Sequence, residues 1–210
     1  MAVSITLLSF NYISLKKDKV FNDMNLEYYT LASPVETAEV PDSQELIIES
    51  EIGQPEVSNP SYSNYYIGYL EIPKINLNRG FVDINSEDNN ISKNVTIVKS
   101  SDMPDVDKGN FILAAHSGSA YISYFNDLYK LSTGDYAYVT YNGVKYTYQI
   151  KNIYTQPKTG QIGIYRDHDK TTLTLVTCTN TDKTTQTMTN KDNLLFIYTT
   201  YYKYTLIELI

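Results

Sequence analysis

Short runs of alternating apolar and polar residues predict β-strands throughout the second two-thirds of the chain. Valine, isoleucine, threonine and tyrosine are frequent in these runs, and such side chains favour the half-buried surface of a sheet. The run at 110–115 is apolar on both faces and therefore indicates a central strand. The predicted strands are 66–72, 75–82, 94–99, 110–115, 136–141, 144–154, 171–178 and 194–202.

Two further signals complete the predicted fold. Asn142-Gly143 separates two of the strands, and this dipeptide is a strong signal for a two-residue hairpin turn. Apolar residues recur at helical spacing across 121–131, which predicts one short helix there. Seven or eight short strands with so little helix indicate an all-β protein folded as a closed β-barrel.

The residues before the predicted barrel, which is assigned to 64–210, divide into two segments. Residues 1–15 are largely apolar and are followed by three lysines. This stretch is shorter than the about 20 apolar residues of a membrane span. It is therefore a remnant of a membrane anchor, the interpretation that we favour, or a first strand. Residues 16–63 are acidic, lack periodicity and contain four prolines. They are predicted to form a solvated linker or stalk, with a lid over the active site as the alternative.

The negative charge of the chain is concentrated in its front part. The net charge is −7, and residues 20–73 contain ten carboxylates but no lysine or arginine. From residue 74 onward, 14 basic and 13 acidic residues nearly balance. Neither part has the basic surface that a phosphate backbone requires, which argues against nucleic-acid binding.

The candidate chemistry centres on Cys178, the only cysteine of the chain. A single cysteine cannot form an internal disulfide, and by itself it is more often a small core residue than a nucleophile. However, Cys178 ends the predicted strand 171–178, and His116 follows the central strand 110–115. If those strands are parallel neighbours, the thiol and the imidazole meet at one rim, as thiol nucleophilic catalysis requires. The second histidine, His168, lies among charged residues in a predicted surface turn.

Four stretches of the chain, taken in order, resemble the sortases, the cysteine transpeptidases of Gram-positive cell surfaces. Residues 70–75 resemble the first strand of that family, and 104–116 resemble its Pro…Gly-Asn-(apolar)₃-Ala-His stretch. Residues 124–135 resemble its Phe-x-x-Leu-x-x-Leu-x-x-Gly-Asp helix, and 174–178 resemble its Thr-Leu-x-Thr-Cys motif. Each motif alone is weak, but the four in order are specific.

The resemblance implies an eight-stranded β-barrel of the sortase type with one or two short helices, similar to classes A and D rather than B or C. It implies that Cys178 attacks the Thr-Gly bond of a Leu-Pro-x-Thr-Gly-like sorting signal. His116 would protonate the leaving amine and then deprotonate the incoming amine. By the same resemblance, Thr177 and Ala114 lie near the substrate groove.

The chain departs from the family at one catalytic position. Sortases have an arginine on the strand after the cysteine strand, whereas this chain has no arginine after Cys178. Gln186 and Arg166 are equal candidates for a third catalytic group, ahead of Lys191. Glutamine supplies hydrogen bonds without charge, and lysine supplies charge without the planar fork of arginine.

No cofactor is expected for this chemistry. Asp83, Glu87 and Asp88 form an acidic loop where some sortases bind Ca²⁺. Because Ca²⁺ takes six or more oxygen ligands and the others are not evident, a solvated acidic loop is favoured over a Ca²⁺ site.

The implied partners follow from the implied reaction. They are sorting-signal peptides of surface proteins or pilins, an amine of the cell wall or of a pilin lysine, and the membrane, on whose extracellular face the N-terminal segment would anchor the protein. Two other functions stay open. One is a non-catalytic or weakly active surface or pilus assembly module, and the other is a cysteine peptidase that hydrolyses the peptide.

Overall fold

The computed structural model describes residues 2–32, 65–157, 163–179 and 193–201. Within these ranges the chain forms one α-helix and eight β-strands. The helix α1 spans Ala2–Ala32. The strands are β1 (Gly68–Ile72), β2 (Leu77–Phe81), β3 (Thr96–Ile97), β4 (Asn110–Ala114), β5 (Tyr136–Tyr141), β6 (Val144–Pro157), β7 (Thr172–Thr179) and β8 (Asn193–Tyr201).

All eight strands join one sheet, in the order β2-β1-β5-β6-β8-β7-β4-β3. Neighbouring strands are antiparallel except for β4 and β7, which run parallel. The two outermost strands approach each other, because Phe81 at the end of β2 bridges to Val95 just before β3. The sheet therefore curls into a nearly closed eight-stranded barrel, which confirms the predicted all-β barrel.

The hydrophobic core lies inside this barrel and follows the alternation of the strands. Phe111 and Leu113 of β4, and Leu173 and Leu175 of β7, are buried in one contiguous cluster. Each such side chain contributes about 1.5–3 kcal/mol on burial. The central strands β4 and β7 are therefore firmly held.

The hairpin between β5 and β6 turns at the predicted dipeptide. Asn142 and Gly143 have φ angles of 50° and 75°. A two-residue turn that matches the twist of a hairpin needs positive φ at both positions, and asparagine and glycine reach that region at little steric cost. The hairpin prediction is therefore confirmed.

The predicted helix at 121–131 is wrong. That segment forms turns and a short 3-10 helix at Leu128–Lys130. The apolar residues of this segment are nevertheless the ones that contact the core, since Phe125, Leu128 and Leu131 are buried there. These side chains anchor the connection between β4 and β5 to the barrel.

The N-terminal helix excludes the first-strand alternative for residues 1–15 and the linker over 16–32, whereas the remnant of a membrane anchor stays a prediction. Residues 2–32 are one continuous helix, rather than a first strand followed by a linker. Residues 1–33 contain neither glycine nor proline, and Pro34 follows the last helical residue closely. Proline cannot continue a helix, so this pattern marks the C-terminal end. The rest of the predicted linker, 33–63, lies outside the described residues.

The C-terminal half of α1 packs on the edge strand β2. Asn22 is 4% exposed. Its side chain accepts a hydrogen bond from the amide of Gly80 at 3.3 Å and donates one to the carbonyl of Asn78 at 3.2 Å. Farther along, the buried hydroxyl of Tyr29 accepts from the amide of Gly143 at 3.4 Å. The helix thus satisfies backbone groups of an edge strand that would otherwise be exposed.

The N-terminal half of α1 carries large apolar side chains at its surface. Phe10, Tyr12, Ile13 and Leu15 are 49–66% exposed. Among the described residues, no helix combines the length and the apolar character needed to cross a membrane.

Candidate active site

The strands that lead to Cys178 and His116 are parallel neighbours, as the prediction required. The ladder between β4 and β7 begins with Asn110 beside Thr172, and each paired position is 62 residues from its partner. The same offset separates His116 from Cys178. Continuing this register beyond β4 brings the two residues side by side on chains about 4.8 Å apart.

Hydrogen bonds hold the chain beside β7 after the ladder has ended. The hydroxyl of Thr177 donates to the carbonyl of Ala115 at 2.8 Å. The hydroxyl of Ser117 donates to the carbonyl of Cys178. His116 therefore lies between two residues that are each bonded to the cysteine strand, which supports the continued register.

Both candidate side chains face away from the core. In β7, Leu173, Leu175 and Thr177 face the core, and Cys178 belongs to the alternate set on the outer face. Thr172 and Thr174 of this set are covered, whereas Val176 and Cys178, at the end of the strand, are partly exposed. The cysteine is partly exposed. His116 follows the buried Ala115 and is also partly exposed. A rigid sheet thus presents a thiol and an imidazole on the same outer face, open to a substrate.

The outer face beside the pair is apolar. Ala114 and Val176 are direct neighbours in the ladder, and both are partly exposed. On the far side of β7, Phe196 of β8 is paired with Val176 and is buried. An extended peptide lying along this surface would therefore meet the aliphatic side chains of Ala114 and Val176 before its carbonyl reached Cys178.

The segment 163–171, which precedes β7, forms a wall over this outer face. The ring of Tyr165 packs edge-on against Tyr198 of β8, with 5.0 Å between ring centroids. The amide of Tyr165 donates to the hydroxyl of Tyr154 at 3.2 Å. Burial, followed by the nearby carboxylate of Asp167, raises the pKa of Tyr198 to about 12. Its hydroxyl is therefore neutral at physiological pH.

Thr177 does not line the groove that the resemblance assigned to it. Thr177 is 4% exposed and faces the core, with its hydroxyl bonded to Ala115. Its role in this structure is to join the two strands of the site. Ala114 does lie on the outer face, and its contact with a substrate stays a prediction.

Arg166 lies at the wrong end of the strands to act as the third catalytic group. Its guanidinium pairs with Asp102 at 2.6 Å, and Asp102 accepts from the amide of Asn110, the first residue of β4. Cys178 lies six residues farther along β7 than Thr172, the partner of Asn110, which corresponds to about 20 Å of extended chain. The other two candidates, Gln186 and Lys191, lie outside the described residues.

The acidic loop and the second histidine are surface features. The Asp88 carboxylate is paired with the ammonium of Lys93 at 2.6 Å, and that of Asp83 accepts from the amide of Asn85 at 2.8 Å. Across the described ranges, no group of three or more histidine, cysteine, aspartate or glutamate side chains is arranged to hold a metal ion. His168 is exposed, as predicted.

The geometry of the pair fits nucleophilic acyl transfer. Deprotonated Cys178 can attack a carbonyl carbon, because the thiolate is the reactive form of the side chain. His116, the neighbouring residue, can carry the proton between the thiol, the leaving group and the incoming nucleophile. The strands β4 and β7 fix the backbone next to His116 and at Cys178. The two side chains therefore need little rearrangement when a substrate binds.

The sequence interpretation missed two sets of residues around the site. One consists of Tyr154, Tyr165 and Tyr198, which pack together over the outer face. These tyrosines lie on segments far apart in the chain, so no local pattern connects them. The other is the docking face of α1, which includes Asp18, Asn22 and Tyr29. Their spacing is helical, but two of the three are polar. A search for apolar periodicity therefore passes over them.

A comparison with family models finds a match to the one described as "Sortase domain", over residues 70–197. Sortase A of Bacillus anthracis is 30% identical over 138 residues, which are 64% of this chain and 64% of that protein. The matched part therefore spans less than two thirds of that relative.

Solved structures of three sortases have similar folds. Sortase C1 from Streptococcus agalactiae is 27% identical, with a TM-score of 0.56, over 67% of this chain and 69% of that chain. Sortase A from Corynebacterium diphtheriae is 18% identical, with a TM-score of 0.54, over 68% and 63%. The Clostridium perfringens sortase D5 transpeptidase is 22% identical, with a TM-score of 0.53, over 66% and 79%. The likeness extends across classes A, C and D, and it does not confirm the expected distinction from class C.

Proposed function

Since the chain belongs to the sortase family, whose members are transpeptidases with a cysteine nucleophile, we propose that it cleaves an LPxTG-like sorting signal and transfers the acyl part to an amine. The single observation that carries this proposal is the constant offset of the β4–β7 ladder. It matches the separation of His116 and Cys178 in the sequence. This agreement supports a thiol and an imidazole that meet on the partly exposed outer face of a rigid sheet.

The proposed reaction has two acyl-transfer steps. In the first, the Cys178 thiolate attacks the carbonyl carbon of the Thr-Gly bond, a carbon–sulfur bond forms and the carbon–nitrogen bond breaks. His116 gives its proton to the departing amine. In the second step, His116 takes a proton from the acceptor amine, whose nitrogen attacks the thioester. The carbon–sulfur bond then breaks and the thiolate returns.

The proposed peptide path follows the outer face of β4 and β7. Ala114 and Val176 supply a partly exposed apolar floor, and Tyr165 supplies a wall. An apolar residue before the scissile bond would bury surface there, worth about 25 cal/mol for each Å² removed from water. The acceptor is proposed to be an amine of the cell wall or a pilin lysine.

The class and the third catalytic group are also part of the proposal. We assign the chain to the A and D type, because the sequence has no Asp-Pro-aromatic lid motif and only a short connection between β6 and β7. Gln186 is the remaining first candidate for the third group, since Arg166 is paired with Asp102. The side-chain amide of Gln186 would donate hydrogen bonds to the oxyanion that develops on the scissile carbonyl.

We further propose attachment to the outer face of the cell membrane through the N-terminal end of α1. This half of the helix has exposed apolar side chains, and Lys16, Lys17 and Lys19 follow them directly. Apolar side chains next to a basic cluster favour an anionic lipid surface.

The proposed activity is tested by mass spectrometry of the full chain incubated with a panel of LPxTG-type peptides. A thioacyl adduct on Cys178 is expected for at least one peptide, and an amine acceptor should convert it to a transpeptidation product. Cys178→Ala and His116→Ala should abolish product, whereas His168→Ala is the matched control and should retain it. Absence of an adduct with every peptide would refute the proposal, and release of free acid despite added amine would indicate a hydrolase.

One observation favours a second function, a non-catalytic or weakly active assembly module. Both arginines of the chain are engaged in ion pairs, Arg79 with Asp18 of α1 and Arg166 with Asp102. A module of this kind should bind sorting peptides equally well before and after Cys178→Ala. Titration calorimetry of the two proteins, in parallel with the adduct assay, separates the two functions.

A further inference from the structure

The helix α1, the strand β2 and the connection after His116 meet in one polar cluster. The carboxylate of Asp18 receives two hydrogen bonds from the guanidinium of Arg79, at 2.6 and 2.8 Å. The same carboxylate accepts from the hydroxyl of Tyr124 at 2.9 Å. The guanidinium carbon of Arg79 lies 3.9 Å from the centre of the Tyr124 ring. We refer to Asp18, Arg79 and Tyr124 as the helix clamp.

The clamp is largely removed from water, so its three members depend on one another. Arg79 is only 6% exposed. A guanidinium in such a place needs its carboxylate partner, because removing one member of a buried ion pair leaves an uncompensated charge. Burial raises the pKa of Tyr124, so its hydroxyl keeps its proton and continues to donate to Asp18.

Tyr124 connects the clamp to the backbone of His116. The next residue, Phe125, is fully buried, and its amide donates to the carbonyl of His116 at 3.0 Å. A second bond joins the same two stretches of chain, from the amide of Gly118 to the side chain of Asn126 at 3.1 Å. The connection thus forms a loop whose two ends are tied together, with His116 at one end and Tyr124 close to the other.

The surroundings give the Tyr124 ring room to move if the clamp is broken. Tyr124 and Asp18 line an open pocket of about 400 Å³ between α1 and the loop, together with Lys17, Phe21 and Ile122. A side chain that borders such a space is not locked by close packing on that side. Its orientation therefore depends on the stacked guanidinium and on the hydrogen bonds of its hydroxyl, to Asp18 at 2.9 Å and to the carbonyl of Lys93 at 3.3 Å.

We propose that Tyr124 is a positioning residue for His116, and that α1 sets its orientation through Asp18. This inference rests on the proposed function, in which His116 transfers protons. The helix, which begins far from Cys178 in the sequence, then contributes to proton transfer without touching the substrate. A purely stabilising clamp would change the unfolding free energy only, whereas a positioning clamp also changes the environment of His116.

The test uses the full chain and two variants of the clamp. Asp18→Asn removes the charge that holds Arg79, and Tyr124→Phe keeps the stacked ring but removes its hydroxyl. The matched control is Asp23→Asn, which breaks the exposed Lys19–Asp23 pair one helical turn away. We expect Asp18→Asn to lower kcat with an LPxTG-type peptide and an amine by about tenfold, since small misplacements of reacting groups are costly. KM for the peptide should change by less than about twofold, because the clamp does not touch the groove.

A second readout does not depend on turnover. The chain has two histidines, so NMR titration of the imidazole signals follows His116, with His168 as an internal reference. Asp18→Asn and Tyr124→Phe should shift the midpoint or broaden the signal of His116 and leave His168 unchanged. Asp23→Asn should alter neither signal.

The outcomes separate the inference from the proposed function. If no peptide forms an adduct but the clamp variants change the His116 signal, the proposed function fails and the positioning role stands. If the parent enzyme is active and the clamp variants retain its kcat, its pH–rate profile and its His116 titration, the positioning role is refuted. That result is decisive even if Asp18→Asn unfolds at lower temperature, because the milder Tyr124→Phe reports on the same contact.

Discussion

Replacing Thr177 by valine should loosen the junction between the two strands of the candidate site. The change keeps the shape of the side chain but removes the hydroxyl that donates to the carbonyl of Ala115 at 2.8 Å. A hydrogen bond contributes about 1 kcal/mol net, and a buried acceptor left without its donor adds a desolvation cost, for a total of about 2 kcal/mol. At 2–4 °C for each kcal/mol in a protein of this size, the expected fall in Tm is about 4–8 °C.

The matched control is the same substitution at the other end of the same strand. The hydroxyl of Thr172 lies 3.0 Å from the Asn110 side-chain oxygen, which also accepts from Thr174 at 2.9 Å. Thr172→Val therefore leaves that acceptor with a partner and should cost only about 1 kcal/mol. It lies far from Cys178 and should not change the chemistry.

The assay combines unfolding in urea with the rate of thioacyl formation on Cys178. Thr177→Val should slow adduct formation by about tenfold, because the residue beside His116 loses its tether to β7. Thr172→Val should stay within about twofold of the parent. Equal losses of stability in the two variants, together with unchanged rates in both, would refute the argument that this hydrogen bond positions the histidine.

Two further predictions concern charged residues away from the pair. Arg166→Ala should cost less than about 1 kcal/mol, since its pair with Asp102 is partly exposed to solvent, and it should leave the rate of adduct formation within about twofold. A loss of tenfold or more would restore Arg166 as a catalytic candidate. Burial acts to raise the pKa of Asp135, but the hydrogen bonds from Lys74 and from the amide of Ser132, together with the charge of Lys74, outweigh it and the pKa is lowered. A lowered folded-state pKa stabilises the protein above the unfolded value, near 3.9, and this contribution disappears as the pH falls through the folded pKa. Urea unfolding of the parent and of Asp135→Asn should therefore differ by about 1 kcal/mol at pH 6 and converge once the pH is below the folded pKa, and a difference that is constant with pH would contradict this.

Much of the barrel and the candidate pair was predictable, because the signals are local. The Asn142-Gly143 turn and the alternation of β7 depend on neighbouring residues, and a strand end next to a polar run marks a rim. Parallel pairing of β4 and β7 was only a condition in the sequence interpretation, and the ladder now confirms it. The resemblance to sortases was confirmed by the family match over 70–197.

The features that the sequence did not predict depend on contacts between distant segments. The docking face of α1 is polar, so Asp18 and Asn22 gave no apolar period, and their partners lie more than 50 residues away. Thr177 was placed near substrate by the resemblance to the family, but the alternation of β7 turns its side chain toward the core. Arg166 was a candidate because it precedes Cys178 by only 12 residues in the sequence. In the structure it lies near the first residues of β4 and β7, whereas Cys178 lies near the other end of β7.

The parallel pairing of β4 and β7 also determines when the site is assembled during synthesis. The hairpin of β5 and β6 closes through a two-residue turn, but β4 and β7 must close a loop of 62 residues, which is slower and costs more chain entropy. β7 is further flanked by β8, the last of the described strands along the chain. An unfinished copy therefore carries the histidine, and later the cysteine, without bringing them together. The candidate site is therefore assembled only when the barrel is complete, so partly made chains lack the paired thiol and imidazole.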